Sequence, residues 1–251
     1  MTRFKICGLR DPHHAVVAAK SGASFLGFVF VHGVRRQLTE QQAAGIISEY
    51  RRLRGQGGPR LVGLFADQPL DEVNRIVNTC GLDYAQLCGD EPPDYWGKVA
   101  VPIIKQIKVA VPPLPSRERP LVPMSLGPKG EGDAAQADLD AVVEHTLRRA
   151  EQVLAAGHRV LLDSYEPGHL GGTGRTFDWA VAREVAKSHE VILAGGLTPE
   201  NVGRAVETVH PWAVDVSSGV ETDGVKDGAK IKAFADAVHR TDQAAAKPRV
   251  G

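Results

Sequence analysis

Short apolar runs alternate with amphipathic stretches along nearly the whole chain. Arg3 to Cys7, Phe25 to Val31, Leu61 to Phe65, Tyr84 to Cys88, Ile103 to Val109, Val160 to Asp163, Val191 to Ala194 and Ala213 to Ser217 are brief and mostly apolar. Runs of this length, bounded by turn residues, read as strands buried on both faces, as in a parallel sheet. The segments between them carry helix signals. Asp11-Pro12 opens a helix to about Ser21, Thr39 with Gln41 and Gln42 behind it caps one ending near Gly55, and Leu70 to Thr79 and Pro93 to about Val99 supply two more. Further helices are expected from about Leu139, over Phe177 to Lys187, after a Thr198-Pro199-Glu200 cap, and over Ala229 to Val238.

Eight such units in 251 residues match the usual size of a single (β/α)₈ TIM barrel of the α/β class. A doubly wound sheet has the same periodicity and stays open as the alternative. One segment breaks the rhythm. Residues 111 to 138, with Pro112-Pro113-Leu114-Pro115, Arg117-Glu118-Arg119-Pro120 and Gly127-Pro128-Lys129-Gly130, hold no steady period. They form a long excursion after strand five, read as a surface insertion, with a cover over the site as the alternative. The tail from Thr241 to Gly251 is expected to fray.

Composition narrows the function. The 30 Lys+Arg balance 30 Asp+Glu, so the basic excess of a nucleic-acid partner is missing. No apolar run is long enough to span a membrane, and Met1-Thr2-Arg3-Phe4-Lys5 lacks the apolar core of a signal peptide. Cys7, Cys80 and Cys88 make neither a disulfide framework nor a zinc pattern, which fits a reducing cytoplasm and no metal.

A barrel presents the C-terminal ends of its strands to one mouth. Lys5-Ile6-Cys7-Gly8 ends strand one, and Leu161-Leu162-Asp163 ends strand six. A thiol there serves as a base if cations stabilise its thiolate, with Lys5 and Arg36 as candidates. Taken singly, Cys7 reads as a small buried hydrophobe and Asp163 as a loop-capping acid; together at two strand ends they suggest an acid–base pair. Gly171-Gly172-Thr173-Gly174 follows Asp163 as an active-site loop. Leu193-Ala194-Gly195-Gly196-Leu197 and Val216-Ser217-Ser218-Gly219-Val220-Glu221 end strands seven and eight, where barrels often bind phosphate through backbone amides. One of Arg35 and Arg36, after strand two, suits a carboxylate. Gln86 and Asp215 are further candidates for the mouth. Asp178 reads as a helix-start residue, and His13 and His14 as surface residues.

These motifs, together with Gly27-Phe28-Val29-Phe30, Val62-Gly63-Leu64-Phe65 and Phe177-Asp178-Trp179, resemble those of the phosphoribosylanthranilate isomerases, (β/α)₈ enzymes of tryptophan biosynthesis. The resemblance runs in order over nearly the whole chain. It implies an Amadori rearrangement of N-(5-phosphoribosyl)anthranilate to 1-(2-carboxyphenylamino)-1-deoxyribulose 5-phosphate, with no cofactor. It implies Asp163 as general acid, Cys7 as general base, and Arg36 on the anthranilate carboxylate. Gly195, Gly196, Ser218 and Gly219 would surround the phosphate. The implied partner is a small phosphorylated substrate, with the chain a cytoplasmic monomer or homodimer. The chain departs from the family pattern at Val34-Arg35, where Ser-Pro is usual, at Cys88, where His is usual, and in the length of the excursion. Two other readings compete. One is another sugar-phosphate barrel, a ribulose-phosphate epimerase or thiamine-phosphate synthase. The other is a diverged barrel that binds a phosphorylated ligand without turning it over.

Overall fold

The computed structural model describes residues 1–55, 57–110, 131–165 and 179–246. Strands β1 (Arg3–Ile6), β2 (Phe25–Val29), β3 (Arg60–Phe65), β4 (Tyr84–Leu87), β5 (Ile103–Ala110), β6 (Arg159–Tyr165), β7 (Val191–Leu193) and β8 (Ala213–Val216) pair in parallel, each with the next. β8 returns to β1 in register Lys5↔Asp215, which closes the barrel. The doubly wound alternative is thereby excluded. Helices α1 (Pro12–Lys20), α2 (Glu40–Arg54), α3 (Leu70–Cys80), α4 (Pro93–Trp96), α5 (Glu131–Ala155), α6 (Trp179–Ala186), α7 (Val202–Val209) and α8 (Gly228–Ala246) follow the strands in turn.

The period of two along each strand sorts the core into two layers. Phe4, Ile6, Leu26, Phe28, Leu87, Ile107, Leu162, Leu193 and Val216 point outward and pack beneath the helices. Cys7, Phe25, Val29, Val62, Leu64, Ile104, Leu161, Ile192, Ala194 and Ala213 fill the barrel interior. Each strand therefore gives alternate residues to the interior, and those nearest its C-terminal end reach the mouth.

Local capping sets the helix starts. Asp11 accepts the His14 amide at 2.9 Å, and Thr39 and Gln42 cap each other reciprocally at 2.9 and 3.2 Å. Four expectations change. α5 begins at Glu131 rather than near Leu139, because the alanines of its first turns are good helix formers that carry no visible apolar period. The excursion is thereby shortened to 111–130, outside the described residues. α7 begins at Val202, although in the turn before it the Thr198 amide donates to Asn201 Oδ1 and the Asn201 amide to the Thr198 carbonyl. α4 stops at Trp96 rather than Val99. α8 continues to Ala246, past the point where fraying was expected, and Asp242 on it accepts from the Thr2 amide at 2.6 Å and the Thr2 hydroxyl at 2.8 Å.

A small hairpin, β9 (Glu221–Thr222) and β10 (Val225–Lys226), follows β8 and a 3₁₀ turn over Ser218–Val220. Its two-residue connection is Asp223-Gly224 with φ of 51° and 79°, the left-handed pair that a tight hairpin demands. Among the described residues, no helix is long and apolar enough to cross a membrane.

Candidate active site

One cavity at the C-terminal mouth is lined by Cys7, Arg36, Gln86, Cys88, Gln106, Lys108, Asp163, Gly195, Gly196, Asp215, Ser217 and Ser218, over an apolar floor that includes Val29, Leu64 and Leu161. Cys7 and Asp163, separated by most of the sequence, face the same space. Gly171 to Gly174 and Asp178 lie outside the described residues. Gly219 does not line the cavity; a Cβ there would come within 1.9 Å of the Leu197 carbonyl oxygen. Its role in the geometry is to let the loop after β8 press against the loop after β7. Gly195 and Gly196, with φ of 93° and 61°, turn in the left-handed region that glycine enters freely. Asn201 holds this turn by donating to the Gly196 carbonyl at 2.9 Å.

Electrostatics around Cys7 differ from the expectation. Lys5 is fully buried and donates to both oxygens of Asp215 at 3.1 Å. Burial works against the Lys5 charge, but Asp215 outweighs it and raises the lysine pKa. For Cys7, burial pushes the thiol up; Lys5 and Lys226 pull it down, Asp215 adds to the rise, and the net direction is upward. Lys5 does favour the thiolate, as expected, but burial outweighs it and the net shift is upward; Arg36 is engaged by Glu221. Gly27 on β2 leaves the thiol its space: a Cβ there would sit 3.1 Å from Cys7 Sγ.

The two arginines differ in position. Arg36 is half-buried and lines the cavity, whereas Arg35 is exposed and absent from the lining. Arg36 donates through Nε to Glu221 Oε1 at 2.7 Å and through Nη2 to Oε2 at 2.9 Å. Arg35 reaches the same carboxylate at 2.6 Å and Lys226 at 2.7 Å. Burial tends to raise the Glu221 carboxyl, but hydrogen bonds from Arg36 and Lys226 outweigh it and hold its pKa at about 2.

Gln106 and Lys108 were missed in the sequence. Gln106 Nε2 donates to Asp163 Oδ2 at 2.6 Å, and Lys108 stands opposite Asp163 in the β5–β6 register. β5 is apolar on both faces, at Ile103, Ile104, Ile107 and Val109, so its phase was hidden until Ile104 was seen inside the barrel. Gln86 is buried; its Nε2 donates to Cys88 Sγ at 3.4 Å, and its Oε1 has no partner among the described residues. Burial pushes the Cys88 thiol up to about 12, so it stands in the mouth as a neutral group.

A closed parallel barrel with acid, thiol, arginine and glycine-lined loops at its C-terminal mouth defines a (β/α)₈ enzyme built for a small anionic substrate. The family model described as N-(5'-phosphoribosyl)anthranilate (PRA) isomerase matches residues 4–114 and 134–237. The N-(5'-phosphoribosyl)anthranilate isomerase of Dehalococcoides mccartyi is 37% identical over 242 residues, 96% of this chain and 98% of that protein. The crystal structure of phosphoribosyl anthranilate isomerase from Thermotoga maritima superposes with a TM-score of 0.74 at 28% identity, covering 96% of this chain and all of that one. A phosphoribosyl anthranilate isomerase in complex with reduced 1-(o-carboxyphenylamino)-1-deoxyribulose 5-phosphate gives 0.70 at 27%, with 96% and 100% covered. The chain belongs to the phosphoribosylanthranilate isomerase family.

Proposed function

We propose that Asp163 and Cys7 are the general acid and general base with which this isomerase of tryptophan biosynthesis carries out its Amadori rearrangement. Asp163 protonates the furanose ring oxygen of N-(5-phosphoribosyl)anthranilate. The C1–O bond breaks as the nitrogen lone pair forms the Schiff base. Cys7 then removes the C2 proton, and the C–H electrons form the enolamine, which tautomerises to the 2-ketone. Each step moves one proton to or from the substrate, so an acid and a base suffice. The observation that carries the reading is that these two side chains, one just after β1 and one on β6, line one cavity together with Arg36.

Arg36 takes the anthranilate carboxylate. Backbone at Gly195, Gly196 and Ser218 takes the phosphate, with Gly219 allowing the loops to meet. Gln86 offers its Oε1 to a donor of the sugar, and Gly171 to Gly174 form a loop beside Asp163. The chain works as one barrel domain in the cytoplasm, as a monomer or homodimer, on this small phosphorylated substrate and without nucleic acid.

Complementation of a tryptophan auxotroph lacking the isomerase tests this. The parent chain is expected to restore growth, and Cys7→Ser and Asp163→Asn to lose most of it. Full growth from soluble Asp163→Asn would remove Asp163 from the acid role. A binding-only barrel predicts no growth from the folded parent.

A further inference from the structure

We propose that Glu221 is the positioning residue of the carboxylate clamp: it grips the side-on edge of the Arg36 guanidinium and commits the end-on fork to the anthranilate carboxylate. This rests on the reading of Arg36 as the clamp. A guanidinium has two edges that each match a carboxylate, one through Nε and an Nη, the other through both Nη atoms. Glu221 occupies the first, with Nε–Oε1 at 2.7 Å and Nη2–Oε2 at 2.9 Å. Nη1 has no hydrogen-bond partner among the described residues, so the second edge is left to a ligand in the cavity that Arg36 lines. The stem is fixed from the other side. Gly8, with φ of 76°, lies so close that a Cβ there would come within 2.5 Å of Arg36 Cδ.

Charge also favours a second carboxylate. Arg35, Arg36 and Lys226 all converge on the single Glu221 carboxylate, so the cluster keeps a net positive charge. A lone Glu–Arg pair would be neutral and a poor lure for an anion. The Glu221 backbone has partners of its own. The β9–β10 pairing sets Glu221 opposite Lys226, and Lys230 Nζ donates to the Glu221 carbonyl at 2.7 Å. The side chain, 5% exposed, is turned instead onto Arg36 and Lys226.

The test is calorimetric binding of two ligands to the full chain. One is reduced 1-(o-carboxyphenylamino)-1-deoxyribulose 5-phosphate; the other is its counterpart with aniline in place of anthranilate. The parent is expected to prefer the carboxylate ligand. Glu221→Ala should weaken that ligand roughly tenfold or more, the scale of a charge-assisted hydrogen bond, and leave the other within about twofold. Glu221→Gln keeps the volume but turns an amide N–H toward the guanidinium, and it should lose the preference too; it decides the matter if the alanine variant does not fold. Equal weakening of both ligands, or an intact preference, overturns the proposal. Arg36→Met is run alongside. If it keeps the preference, the reading of Arg36 itself fails; if it loses the preference while the Glu221 variants keep it, the role of Glu221 alone fails.

Discussion

Cys7 is buried and its thiol is held above the ordinary range, which bears on the pH dependence of the reaction. The proposed base must lose its proton to act, and burial opposes that. The step of the kcat/KM profile that belongs to Cys7 is therefore expected above the ordinary thiol value of about 8.5. A pH–rate profile checks this; a step centred below that value would mean a resting thiolate. Cys7 and Asp163 were legible in the sequence because each ends an apolar run, although β6 itself continues to Tyr165. The direction of the Cys7 shift was not, since it depends first on how deeply the folded barrel buries the thiol and then on the balance of Lys5, Asp215 and Lys226 around it.

The loops after β7 and β8 meet through Gly219, which tolerates no Cβ because the Leu197 carbonyl oxygen would lie 1.9 Å away. The obstacle is backbone, so it is not relieved by a rotamer change. Gly219→Ala should push the two loops apart and raise KM roughly tenfold, about 1.4 kcal/mol of binding, in steady-state assays. An unchanged KM in a folded variant would show that this contact does not shape the phosphate site. Motif glycines at these two strand ends were readable from the sequence, as was the capping box at Thr39 and Gln42. The start of α5 at Glu131 was not, because alanine-rich turns carry little hydrophobic contrast. The β9–β10 hairpin was also passed over, although Asp223-Gly224 is a hairpin signal, since strands of two residues are too short to show alternation.

Closure of the barrel joins β1 to β8, and the Lys5–Asp215 pair sits inside that seam in direct register. Removing one partner strands a buried charge, so Asp215→Ala is expected to cost about 3–5 kcal/mol in urea denaturation. Replacing both, as Lys5→Met with Asp215→Leu, should recover most of the loss. A single variant within about 1 kcal/mol of the parent would show that Lys5 finds water or another partner. The sequence by itself determined the alternation of eight strands and helices, the helix caps, and the acid, thiol and glycine loops at strand ends, because these are local patterns of period and turn chemistry. Only the tertiary structure decided that the sheet closes, which of Arg35 and Arg36 enters the cavity, that Gln106 touches Asp163, and that Glu221 binds Arg36. Those depend on strand phase and on contacts between residues far apart in the chain, which periodicity cannot encode.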